Sequence, residues 1–453
     1  MKVLSSLAVF LSALVPLVSA SLQIIPGATW TAGGTNQHIQ AHGGGIIKVG
    51  STWYWVGENK LNGSAFQSIN CYSSTDLVQW TYVGTPLTLQ SSGDLGPNRV
   101  VERPKIIYNS STGKYVMWMH IDNSSYGEAK VGVATSSSVC GSYTYLGSWQ
   151  PLGFQSRDIG LFQDTDGTAY LLTEDRAHGT RIDQLTSDYL NVTSATYLFS
   201  VDYEAPAMVK TGGRYYLFAS QETGWSANDN MYTTSTSLTS GWSSWTTFAP
   251  SGTDTYTSQT NFILPVTGSS TTSFIYMGDR WVSSNLMAST YVWLPLTLSG
   301  TSASLAGNYV NWIINPSTGA WTVGPSETTY EGEASTLSKG AVIVSCSGCS
   351  GGEAAGYIGG SSGGTAYFGS VSSTVSTTTT IRVKYLNGDS TQRYSSISVN
   401  GATAKIVAFV PASGDPNSST LHVPLNSGTN TISITGYNSG WGADTDRLMV
   451  PVS

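Results

Sequence analysis

Five residues of this 453-residue chain carry side chains that could move a proton or orient a water: His42, Glu102, Asp158, Glu204 and Gln259. Each stands shortly ahead of an apolar pair, for example Ile106-Ile107, Leu161-Phe162 and Met208-Val209. Glu204 is the candidate acid. It precedes Pro206, which stiffens the backbone, and Trp and Tyr around a pocket would desolvate its carboxyl and raise its pKa. Asp158 could hold Glu204 protonated by like-charge coupling. Glu102, with Arg103 beside it, could bind hydroxyls or act as a base. Gln259 in its ordinary amide form takes no proton, so it orients water or substrate unless the imidic tautomer forms. The bland alternative is that these groups cap strands around a water-filled channel. The matched placement of Glu102, Asp158 and Glu204 speaks against it. His42, beside a glycine run, reads equally well as structural.

The elements that must position these residues form a repeat. After each apolar pair comes a turn and then a strand rich in aromatics: Gly50-Ser51 before Trp53-Tyr54-Trp55, Gly212-Gly213 before Tyr215-Tyr216-Leu217-Phe218. Such turns between β-prone runs predict hairpins. Five copies at roughly 45 to 60 residues predict a five-bladed β-propeller, one blade per copy. One equivalent position per innermost strand would then ring a single pocket. The tail from Val310 to Val323 is expected to add outer strands that close the ring.

Met1-Lys2-Val3, the apolar run Leu4–Val18 and the small-residue site before Ser21 predict a secretory signal peptide over residues 1–20. No other stretch is long enough to span a bilayer. The expectation is a secreted, extracellular protein and a monomer. Charged residues are 10% of the chain, against roughly 25% in typical soluble domains. Polarity comes from Ser, Thr, Asn and Gly, with 25 Tyr and 14 Trp, which suits neutral, hydroxyl-rich ligands. A net charge of -7 offers no basic footprint for nucleic acid. The four cysteines are expected to pair as Cys71–Cys140 and Cys346–Cys349, because each pair then stays within one domain. Cys346-x-x-Cys349 could also be a redox or zinc motif; with no second such pair, a disulfide is favoured. N-glycan acceptor sequons lie at Asn62, Asn109, Asn123, Asn191 and Asn417.

The domain reading is a catalytic β-propeller over 21–324, a linker over 325–329 and a β-sandwich over 330–453. The last unit opens with Tyr330-Glu331-Gly332-Glu333-Ala334, where alternation would point both acids to one face of a strand. A Gly-rich stretch follows, then strands over 380–385, 396–399 and 431–434. About 120 residues is the size of a sandwich domain.

Cleaving a glycosidic bond needs a general acid at the leaving oxygen and a group that activates or positions water. With Asp158-Ile159-Gly160-Leu161-Phe162 and Glu204-Ala205-Pro206, the chain from about Asn36 to Trp321 resembles glycoside hydrolase family 43. That family is a five-bladed propeller with inverting chemistry. The resemblance implies Glu204 as acid and Asp158 as the residue that tunes its pKa. The first blade departs from the pattern: Gln40-Ala41-His42-Gly43-Gly44-Gly45 holds no carboxylate where an Asp base would stand. That signature resembles the branch of exo-β-1,3-galactanases (galactan 1,3-β-galactosidases). So do Trp55-Val56-Gly57-Glu58, Ser258-Gln259 and Met277-Gly278-Asp279-Arg280-Trp281. It implies release of galactose from the non-reducing end of β-1,3-galactan, with Gln259 holding the attacking water and Glu102 binding substrate. The rival assignment makes Glu102 the base. Substrate-binding candidates are His42, Glu58, Arg103, Tyr126, Trp225 and Asp279. No cofactor is expected for catalysis.

The C-terminal unit resembles carbohydrate-binding module family 35, a jelly-roll sandwich. The resemblance rests on Glu331, Glu333, Gly356-Tyr357, the stretch 396–401 and Asp444-Thr445-Asp446-Arg447-Leu448. It implies a structural Ca²⁺ held by Glu331, Glu333 and Asp446, since carboxylate oxygens suit that ion. The expected sugar face carries Tyr357, Asn438, Trp441 and Asp444. The alternatives are another activity of the family, arabinofuranosidase or xylosidase, and a non-catalytic galactan-binding lectin.

Overall fold

The computed structural model describes residues 22–374 and 376–452; the signal peptide expected over 1–20 lies outside them. The described chain is almost all β. Five four-stranded antiparallel sheets follow one another. Sheet I holds His42–Val49, Thr52–Glu58, Ser68–Ser74 and Thr81–Thr88, and sheet II holds Arg99–Asn109, Lys114–Asn123, Lys130–Ser136 and Thr144–Trp149. Sheet III holds Ile159–Gln163, Ala169–Thr173, Arg181–Leu185 and Val192–Leu198. Sheet IV holds Glu204–Thr211, Arg214–Ser220, Met231–Ser235 and Thr246–Thr247. Sheet V holds Gln259–Thr267, Thr272–Arg280, Thr290–Ser299 and Ser302–Leu305. Their first strands lie side by side in the order I to V, and the fifth returns to the first.

The apolar pairs explain this cycle. Successive strand residues point to opposite faces, and each first strand has a neighbouring sheet on both faces. Ile106 packs into the seam between sheets I and II, and Ile107 into the seam between II and III. Leu161 and Phe162 divide in the same way between the next two seams, and so do Met208 and Val209. A strand covered on both sides needs consecutive apolar residues, not alternation. The seam between V and I is the most aromatic. It gathers Trp55, Tyr291 and Trp293 with Trp30 of the leading segment and Trp312.

The hairpin turns follow the chemistry read from sequence. Gly212 and Gly213 have φ of +57° and +74°, the positive pair that a two-residue hairpin turn requires. The tail behaves differently from the expectation. Trp312–Ile314 and Trp321–Val323 pair with each other and extend none of the five sheets. Their polar edge is taken up by Ile24, whose N–H and C=O bond Trp312 at 2.9 and 3.1 Å. Both expected disulfides form, Cys71–Cys140 and Cys346–Cys349.

From Glu327 the chain builds two further sheets, one of six strands and one of five. They enclose one core that includes Val383, Tyr385 and Leu448 from the first and Phe368, Ile397 and Ile432 from the second. The predicted strands extend to Thr377–Asn387, Arg393–Val399 and Gly428–Gly436. Two boundaries move. Glu327–Glu331 is a strand paired to Asp444–Pro451, so Glu327, Thr328 and Thr329 are paired strand and not linker. That strand stops at Glu331: the Gly332 N–H still bonds the Asp446 carbonyl at 2.6 Å, but the Gly332 carbonyl accepts from the Ser335 N–H and hydroxyl and closes a turn. Glu333 therefore lies beyond the strand, not on the same face of it. The leading segment joins the two units: the Thr29 N–H bonds the Ser418 carbonyl at 2.8 Å, and the Thr420 N–H bonds the Thr29 carbonyl at 3.1 Å. Among the described residues, no helix is long and apolar enough to cross a membrane.

Candidate active site

His42, Glu204 and Gln259 open their first strands, Asp158 stands just before its own and Glu102 is the fourth residue of Arg99–Asn109, and at three of the five a repeated irregularity aims the side chain. Register slips between His42 and Gly45, Glu102 and Lys105, and Glu204 and Ala207. The residue after each site residue has positive φ: Gly43 at +59°, Arg103 at +54° and Ala205 at +55°. A bulge of this kind bends the strand and re-aims one side chain. In sheet I it also needs bare glycine. A Cβ on Gly43 would fall 2.0 Å from Glu58 Oε1, and one on Gly44 would fall 1.7 Å from the Val56 carbonyl oxygen.

The bulges open a cavity of about 400 Å³ whose wall holds Glu58, Glu102, Arg103, Tyr126, Asp158, Glu204, Trp225 and Gln259. A larger cavity of about 550 Å³ exists elsewhere, but the apolar pairs line it and none of the five ring residues does. The chemistry belongs to the smaller one.

Glu204 Oε1 accepts a hydrogen bond from Gln259 Nε2 at 2.7 Å. Gln259 Oε1 in turn accepts from Arg103 Nη2 at 2.5 Å and from Trp281 Nε1 at 2.9 Å. Both donors are aimed at Oε1, which leaves Nε2 for Glu204. Arg103 also pairs with Asp158 at 2.9 Å. Carboxyl oxygens of Asp158, Glu174 and Glu204 lie within 4.8 Å of one another. Burial first, then the charges of Asp158 and Glu174, push Glu204 up to about 9. Burial and Asp158 likewise push Glu174 up to about 7.

Glu102 has the opposite setting. Burial works to raise it, but Lys60, His120 and Tyr126 outweigh that and hold it at about 2. The Tyr126 hydroxyl donates to Glu102 Oε1 at 3.0 Å, and Lys60 Nζ lies 3.4 Å away. Lys60 also pairs with Glu58 at 2.6 Å and stands over the Trp225 ring. Trp225 meets Trp281 edge-on, 4.9 Å between centroids.

Two expected binding residues are not on the wall. His42 and Asp279 are fully buried. His42 Nδ1 lies 3.1 Å from Asp279 Oδ1, its ring stacks on Tyr291, and Asp279 Oδ2 accepts the Gly43 N–H at 2.9 Å. The pair braces the first bulge from behind. The sheet I bulge puts Glu58 into the cavity in place of His42.

The sequence reading missed Lys60, His120, Glu174, Arg176 and Trp281. A signal existed for two of them. The second strand of each hairpin runs back to the pocket, and His120 is the cross-strand partner of Glu102 as Glu58 is of His42. The Glu174 N–H bonds the Asp158 carbonyl at 3.0 Å in the same position.

In the C-terminal unit, Tyr357 and Trp441 are both more than half exposed, with ring centroids 6.1 Å apart. Asp444 is half-buried, and Asn438 is exposed on the turn Tyr437–Ser439. Two of the expected calcium ligands, Glu331 and Asp446, share Ser350 as a partner. The Ser350 hydroxyl bonds Glu331 Oε1 at 2.9 Å, and the Ser350 N–H bonds Asp446 Oδ1 at 3.0 Å. Glu331 Oε2, Glu333 Oε2 and Asp446 Oδ2 are buried with no hydrogen-bond partner. Unpaired carboxylate oxygens on Glu331 and Glu333 are the donor type a hard cation takes, although the three residues are not among the carboxylate sets that converge within 4.8 Å among the described residues. Arg447 Nη1, 3.1 Å from Asp446 Oδ2, is the competing charge.

Comparison with known proteins adds the following. The profile of glycosyl hydrolases family 43 matches residues 41–262. The exo-β-1,3-galactanase of Phanerochaete chrysosporium, solved with galactose, is 40% identical, covering 94% of this chain and 99% of that chain at a TM-score of 0.67. A Glu-to-Gln variant of it, solved with β-1,3-galactotriose, matches at 39% identity over 95% and 100%, with a TM-score of 0.67. An exo-β-1,3-galactanase from Clostridium thermocellum is 28% identical over 94% and 100%, with a TM-score of 0.64. A comparison with curated proteins gives no match.

Proposed function

The chain belongs to glycosyl hydrolases family 43, and from that premise we propose that it releases galactose from the non-reducing end of β-1,3-galactan, such as the main chain of arabinogalactan-proteins. The observation that carries this reading is Glu204: a carboxyl inside a polar cavity, kept protonated up to about 9 by burial, Asp158 and Glu174. A pure sugar-binding protein has no use for such an acid. The solved relatives named as exo-β-1,3-galactanases supply the substrate class.

In this reaction Glu204 gives its proton to the leaving glycosidic oxygen as the C–O bond breaks. Water adds to the opposite face of the sugar and releases its own proton to solvent, with inversion. Asp158 and Glu174 keep Glu204 protonated between turnovers. Gln259 positions the water. In inverting sites the two groups stand roughly 6.5–9.5 Å apart, so the bound sugar must part Gln259 Nε2 from Glu204 Oε1. Oε1 stays anchored on Arg103 and Trp281 while Nε2 turns to the water. Glu102 binds sugar hydroxyls; a carboxylate held at about 2 is too weak a base for the alternative role.

We read the five sheets as a five-bladed β-propeller over 21–324, and 330–453 as a jelly-roll carbohydrate-binding module. In it Glu331, Glu333 and Asp446 hold a structural Ca²⁺, and Tyr357, Asn438, Trp441 and Asp444 meet sugar. The protein acts outside the cell as a monomer.

The test is chromatographic product analysis on β-1,3-galactan, wild type beside Glu204→Gln. Galactose released by wild type alone is the expected result. Equal inertness of both proteins would overturn the reading, and arabinan and xylan would then separate a sister activity from a lectin.

A further inference from the structure

Glu204 presents its two carboxyl oxygens to two different surroundings. Oε1 faces Gln259, which is buried. Oε2 faces Arg176, whose Nη2 is 3.7 Å away. The side chain of Arg176 is 46% exposed, whereas Lys60, Glu58 and Glu102 at the other side of the cavity are all below 10%. The cavity thus has a closed end and an open rim, with the acid between them.

That order decides where each sugar goes. An exo enzyme binds the terminal sugar at the closed end, and the rest of the polymer leaves over the rim. The acid must touch the oxygen that joins the two. We propose that Arg176 forms the binding site for the leaving sugar, donating hydrogen bonds to hydroxyls of the galactosyl unit that Glu204 protonates. This rests on the reading of the chain as an exo-galactanase.

The guanidinium is placed for that task. Its Nε is held by Glu174 Oε1 at 2.6 Å and by Glu222 Oε2 at 3.2 Å. Two carboxylates therefore hold the guanidinium at Nε, and Nη2 stands 3.7 Å from Glu204 Oε2, beside the oxygen of the acid that must meet the leaving sugar. A planar fork of donors fixed in advance loses little freedom when it binds hydroxyls. A purely electrostatic role is disfavoured by sign. A cation beside Glu204 pulls its proton off, so losing Arg176 alone would favour the protonated, active acid.

The experiment is steady-state kinetics on β-1,3-galactotriose with galactose as competitive inhibitor, for wild type, Arg176→Ala and Arg176→Lys. Galactose reports the closed end only, and the triose reports both ends. The expected result for Arg176→Ala is a kcat/KM about tenfold lower, with the inhibition constant of galactose within twofold of wild type and partial recovery in Arg176→Lys. A kcat/KM within twofold of wild type overturns the proposal. So does a galactose constant that weakens in step with kcat/KM, which marks a structural role. Failure of wild type to cleave the triose strikes at the exo-galactanase reading instead, and the proposal falls with it.

Discussion

Gln259 Nε2 lies 2.7 Å from Glu204 Oε1, so the amide and the acid share a hydrogen bond. A carboxylate in place of the amide would put a second acid against Glu204, beside Asp158 and Glu174. Gln259→Glu is therefore expected to lower kcat on β-1,3-galactan, and Gln259→Ala to lower it by about 10- to 100-fold. Galactose release measured by chromatography decides. A rise in Gln259→Glu, or wild-type activity in Gln259→Ala, would remove the water-positioning role.

Glu204 is active when protonated, so kcat/KM should fall as pH rises through about 9. Glu204→Gln should lose about 10²- to 10⁴-fold in rate. The same carboxyl also predicts a stability change. Its folded pKa is raised, so its contribution is fully present below the ordinary carboxyl value near 4.5 and is lost as pH rises through about 9. The melting temperature of Glu204→Gln should therefore gain on wild type between pH 4 and pH 8. Calorimetry at the two pH values checks the sign; a constant difference would contradict the raised carboxyl.

Glu102 works the other way. Its folded value is depressed to about 2, so its contribution is present above about 4.5 and is lost as pH falls toward 2. Glu102→Gln should lose less stability than wild type as pH falls from 6 to 3. As a binding residue it should act mainly on KM, raising it about tenfold. A large fall in kcat with unchanged KM would restore the rival role as base.

The proposed Ca²⁺ site predicts that a chelator destabilises the C-terminal unit first. Ligand binding at 100-fold over its dissociation constant stabilises by about 2.7 kcal/mol. Adding a chelator should lower the corresponding melting transition by several degrees, and added Ca²⁺ should restore it. No shift would mean that Arg447 alone neutralises Asp446.

Gly44→Ala tests the first bulge. The added Cβ would meet the Val56 carbonyl oxygen at 1.7 Å, closer than any packing allows. Melting temperature and activity should both fall, since the bulge also places Glu58. Wild-type stability would show that the strand has room to shift.

Much of this was written locally. A Gly-Gly turn needs only its own φ angles, so the hairpins could be read from Gly212-Gly213 and their equivalents. Glu102, Asp158, Glu204 and Gln259 stood out because each precedes an apolar pair, and the pair exists because a strand covered on both faces must be apolar on both. Lys60, Arg176 and Trp281 had no such mark. They belong to loops and strand exits, and they reach the cavity only because the sheets come round in a cycle.

The sequence by itself determined the repeat, the β class and the cysteine pairs, because strand periodicity, turn geometry and side-chain chemistry act over a few residues. The tertiary structure alone decided which way each side chain points. The bulge at Gly43 turned Glu58 inward and left His42 behind the wall. It also decided the opposite proton affinities of Glu102 and Glu204. Both are buried glutamates, and what separates them is the sign of the charges brought within a few ångströms by distant parts of the chain: Lys60 and His120 around one, Asp158 and Glu174 around the other.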